Sequence, residues 1–85
     1  MTNQLLICTY YDKKSQSHDT PFFTLNKINA QRKFQMDIDH KDSIINKFKD
    51  DFELKLIGIF YIDTGEIDSQ NETIATGNQF KKEEE

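Results

Sequence analysis

The chain has 85 residues, 35% of them apolar, a single cysteine and a formal net charge of −4. That length holds one domain with little room for a second core, one thiol excludes an internal disulfide or a multi-cysteine metal site, and no apolar run approaches the roughly 20 residues that cross a bilayer. The balance excludes a uniformly basic nucleic-acid binder, yet it hides a gradient: residues 26–49 carry six basic against three acidic groups, and residues 50–85 carry three against ten. A local basic face on an acidic body is therefore open.

QLLICTYY (residues 4–11) is rich in β-branched and aromatic side chains and reads as a strand. Leu6, Cys8 and Tyr10 share one face, and Leu5, Ile7, Thr9 and Tyr11 the other. Apolar groups on both sides predict an interior strand with helix on one face and a buried, inert thiol. DKKSQSHD (12–19) reads as a polar loop, and Pro21 marks the edge of the next unit. Asn26 is a candidate cap for a helix whose core stripe is Ala30, Phe34 and Ile38. On a helical wheel Lys27 and Gln31 flank that stripe, and Asn29, Arg32, Lys33 and Met36 fall on the opposite side. DHKD (39–42) ends the helix, and SIINKFK (43–49) is a shorter helix with Ile44, Ile45 and Phe48 toward the core.

FELKLIGIFYIDTGEI (52–67) carries the clearest signal. Strict alternation places Phe52, Leu54, Leu56, Gly58, Phe60 and Ile62 on one face of a long strand and Glu53, Lys55, Ile57, Ile59 and Tyr61 on the other. Gly58 marks a bulge or a close backbone approach, and DTGE supplies a turn. EIDS returns as a short strand, NETIATG adds another, and NQFKKEEE reads as a fraying end. The expected architecture is α+β: a small antiparallel or mixed sheet of three to four strands, with one longer and one short helix on one face. Residues 1–80 form the single domain and 81–85 a charged flexible tail.

No residue pattern calls for catalysis, a metal or a cofactor. His18 beside Asp19 has no serine or second histidine to complete a relay. Asp37, Asp39, His40 and Asp42 lack the glycine and terminal glutamate of a calcium loop. The basic residues Lys27, Arg32, Lys33, Lys41, Lys47 and Lys49 are candidates for sequence-independent phosphate contacts. Tyr11, Phe22 and Phe23, with Tyr10, are candidates for base stacking wherever solvent reaches them.

Three segments carry a family resemblance: TPFF (20–23), the spacing Ala30-x-Arg32-x-Phe34-x-x-x-Ile38, and DDFELKLIGIFYIDTGEI (50–67). In that order and separation they resemble the small nonstructural protein of gokushovirus-type microviruses, phages with circular single-stranded DNA. The resemblance implies an accessory, nonenzymatic role in replication or packaging of viral single-stranded DNA in the host cell cytoplasm. Arg32 is the position it points to first. It leaves two partner classes: single-stranded DNA bound without sequence preference, or a viral or host replication or packaging protein on which the chain docks. No membrane partner is expected. The sequence leaves the oligomeric state open; a homodimer would form by pairing of the long strand across a two-fold axis.

Overall fold

A computed structural model of the chain describes residues 3–80. Its elements in chain order are β1 (Gln4–Asp12), β2 (Ser17–His18), β3 (Phe22–Thr24), α1 (Lys27–Asp39), α2 (Ile44–Lys47), β4 (Phe52–Tyr61) and β5 (Ile67–Thr76). Short 3-10 turns at Lys49–Asp51 and Gly77–Phe80 flank the last two strands. The tail assigned to residues 81–85 lies outside the described residues.

All strand pairings are antiparallel. β4 lies between β1 and β5, while β2 and β3 pair in succession with the other side of β1. The fold is the expected α+β arrangement with helix on one face of the sheet. Two short strands add to the expectation. DKKSQSHD is a hairpin rather than a loop: Asp12 Oδ1 accepts from the Lys14 and Ser15 amides, Gln16 takes a left-handed φ of 58°, and Tyr11 then pairs with His18. FFT, directly after Pro21, pairs with Leu6–Cys8.

α1 forms where its sequence starts and stops it. Asn26 is extended, and its side chain accepts from the Asn29 amide at 2.8 Å. At the other end Ser43 donates to the Asp37 carbonyl at 2.6 Å and caps α2 through the Asn46 amide at 3.0 Å. Ala30, Phe34 and Ile38 are fully buried against Leu6, Cys8, Tyr10, Leu54 and Leu56. The expected stripe is thus the core face of the helix. In α2 only Ile45 reaches the core; Ile44 and Phe48, expected inside, are exposed, because a single helical turn directs only one of its side chains against the sheet.

β4 departs from strict alternation. Cys8 pairs with Leu56 and Ile7 with Gly58, leaving Ile57 as an extra residue. Beyond this bulge the faces exchange. Ile59 pairs with Leu6 and packs on the core, whereas Phe60, expected on the core face, pairs with Leu5 on the opposite face. Gly58 lies at the bulge, as its sequence position suggested, with room for a Cβ limited by Ile7 Cδ1 at 3.2 Å and the Asp68 carbonyl at 3.3 Å. EIDS and NETIATG are one continuous strand, β5, reached through a turn in which Gly65 has φ 77°. Both edges of β4 are occupied, so the long strand offers no edge for such two-fold pairing.

Candidate nucleic-acid interface

The helix covers one face of the sheet and leaves the other open. Cross-strand neighbours share a face, so the pairs Ile7–Phe23, Leu5–Phe60, Phe60–Ile67 and Tyr11–His18 place those side chains together on the open side. Phe23 is 57% exposed and meets Phe60 edge to face, with ring centroids 5.8 Å apart. Along β1, four residues or about 13 Å away, Tyr11 lies against His18 at 4.7 Å. Lys55 extends over the Tyr11 ring at 6.0 Å while its ammonium donates to Thr73 Oγ1 at 3.1 Å. The hairpin that carries Lys13 and Lys14 adjoins this end, with Lys13 4.0 Å from Glu53. Thr9, between the two aromatic pairs, is fully buried and donates to the Asp19 carbonyl at 2.7 Å, so its hydroxyl is satisfied.

The basic residues expected to meet phosphate lie on the helical side. Lys27 is held by Glu72 at 2.7 Å and Lys33 by Asp37 at 3.1 Å. Lys33 does not point outward as the wheel suggested; its ammonium sits 4.9 Å from the Phe22 ring and 5.5 Å from that of Tyr10. Arg32, Lys41 and Lys47 are exposed, and Lys49 is half-buried. The acidic side chains of Asp39, Asp42 and Asp50 are exposed in the same segments, which weakens the field that this side presents.

The aromatic candidates separate by face. Tyr10 is 5% exposed, donates to Asp37 Oδ2 at 2.5 Å and packs on Phe34 and Phe22, which removes it as a stacking surface. Burial first, then the Asp37 carboxylate, push the Tyr10 phenol far above its ordinary range. Phe22 is half-buried on the core side beneath Lys33. Tyr11 and Phe23 lie on the open face. Phe60, His18 and Lys55, none of them a nucleic-acid candidate from the sequence, join them there. The signal for Phe60 was Gly58: a bulge at that glycine inverts the alternation beyond it.

Among the described residues no three histidine, cysteine or acidic side chains are grouped to hold a metal ion. Burial pushes the Cys8 thiol up to about 11, so it stays protonated at neutral pH. No helix among the described residues is long and apolar enough to cross a membrane.

Residues 5–80 match the family described as Phage ORF5 protein. No curated protein and no solved structure matches the chain.

Proposed function

Because the chain belongs to the Phage ORF5 protein family, we propose that it is a nonenzymatic accessory protein that holds single-stranded DNA, without sequence preference, during phage genome replication or packaging. The gokushovirus-type microviruses, whose small nonstructural protein it resembles, are the phages in which we place it. The observation that carries the DNA reading is the helix-free sheet face with the Phe23–Phe60 pair at one end and Tyr11–His18 at the other. Exposed aromatics on an antiparallel sheet offer stacking to any base, because every base has a π-face. Lys13, Lys14 and Lys55 supply the phosphate contacts beside them.

The number of cations decides between this face and the helical side. For single strands the slope of log affinity against log salt is about −0.7 per neutralised phosphate. Three contacts on the open face give a slope of about −2, and six from Lys27, Arg32, Lys33, Lys41, Lys47 and Lys49 give about −4. Fluorescence anisotropy with a labelled oligonucleotide, a duplex control and two variants separates the cases. Phe23→Ala is expected to weaken single-strand binding about tenfold, since stacking contributes about 1–3 kcal/mol per base. Arg32→Ala/Lys33→Ala is expected to change it little. No binding by the folded protein, or equal binding of duplex, overturns the proposal. A slope near −4 with loss in the Arg32/Lys33 variant moves the interface to the helices.

A further inference from the structure

The two edges of the sheet are built differently. Beyond β1 the edge is broken into strands of two and three residues on either side of Pro21, a common way to blunt an edge. Beyond β4 it is β5, ten residues with no proline or lysine and no strand on its outer side among the described residues. Lys27 and Lys55 reach its far half, at Glu72 and Thr73, and the turn-side half, with the turn itself, is acidic. Residues 56–80 contain no lysine or arginine, while Asp63, Glu66, Asp68 and Glu72 are all exposed. At the turn end of the strand a shallow groove of about 440 Å³ is lined by Tyr61, Glu66, Ile67 and Asp68. It joins two carboxylates to an aromatic and an aliphatic wall, which suits the apolar stem and cationic head of arginine or lysine.

We infer that the outer edge of β5 is a strand-addition site for an extended basic segment of another protein, with an arginine or lysine of that segment in the Tyr61–Asp68 groove. The backbone groups of the edge give affinity, and the carboxylates give the choice of partner. DNA does not fit, since the edge repels phosphate. A second copy fits poorly, since it brings the same carboxylates to the same edge. β5 also carries extra residues relative to β4 at Gln70–Asn71 and at Ile74; such bulges increase twist, which hinders edge-to-edge pairing of two folded sheets more than addition of a flexible segment. The site meets the proposed DNA-binding face at Ile67 and uses neither of its aromatic pairs.

The test uses three labelled ten-residue peptides: alternating Arg-Thr, alternating Glu-Thr, and an Arg-Pro peptide of the same charge as the first with its arginine amides N-methylated, so that no backbone N–H remains to donate to a ladder. Binding is read by anisotropy, and its position by amide hydrogen exchange. The Arg-Thr peptide should bind and protect amides within Ile67–Thr76. The Glu-Thr and Arg-Pro peptides, and the Glu66→Lys/Asp68→Lys variant with Arg-Thr, should each bind at least tenfold more weakly. Single-stranded DNA binding by that variant should be unchanged or tighter. No binding, protection outside β5, or equal binding of Arg-Thr and Arg-Pro overturns the inference; the last result leaves only diffuse charge attraction.

Discussion

Single residues set tolerances that neighbouring positions do not share. A Cβ built on Gly77 would lie 1.7 Å from the Lys49 carbonyl oxygen, so the two backbones meet where no side chain fits. Gly77→Ala should therefore cost about 2 kcal/mol or more in urea unfolding, because backbone rather than a rotamer must move. Tyr10 and Cys8 together predict a fall in stability in alkali. Both groups have folded pKa values above their ordinary ones, so their contribution is complete below about pH 8.5, the unperturbed thiol pKa, and declines as rising pH ionises the unfolded chain first. Thermal melts from pH 7 to 11 should show this fall. Tyr10→Phe should be less stable at pH 7 by about 1.5–3 kcal/mol, the range for a hydrogen bond to a charged group, and should lose less stability between pH 9 and 11 than the parent. A parallel decline in parent and variant would remove Tyr10 as a source.

At the scale of elements, short helices depend on their ends. α1 has one side-chain N-cap bond, from Asn26, and the adjoining turn is fastened by Ser43 and by Asn46, whose amide donates to the Ile38 carbonyl at 2.6 Å. Asn26→Ala should cost about 1 kcal/mol by loss of the cap. Ser43→Ala should cost more, because it removes both an acceptor for the Asn46 amide and a donor to Asp37. Urea midpoints of the two variants check the order. At this scale the sheet also shows why alternation misplaced Phe60. Period two assumes that each residue has a partner, and Ile57 has none opposite it on β1.

Across the whole molecule, the core lies on one face of the sheet and the proposed DNA site on the other. The covered face carries the fold: Phe34 is fully buried among Tyr10 and the core strands, so Phe34→Ala should cost about 3–5 kcal/mol. That is a large share of the roughly 0.05–0.15 kcal/mol per residue by which domains are stable. The open face carries little of the core, so Phe23→Ala should leave the melting temperature within a few degrees of the parent while reducing DNA affinity. Circular dichroism melts of both variants, set beside anisotropy, distinguish a folding residue from a binding one.

The amino-acid sequence by itself determined the elements whose patterns are local. The two-sided apolar run of β1, the Asn26 cap, the Ala30–Phe34–Ile38 stripe and the Gly65 turn each depend on residues a few positions apart, and each is present. Only the tertiary structure decided the rest. Whether a lysine is free depends on a carboxylate 45 positions away, as for Lys27 and Glu72. Phe22 and Phe23 are adjacent in the chain, and the pleat sends one to the core and the other to solvent once β3 pairs with β1. Ile44 and Phe48 looked apolar enough for the core but found no facing surface. Burial and charge pairing are properties of the assembled sheet, and the open aromatic face exists only where β1, β2, β3, β4 and β5 come side by side.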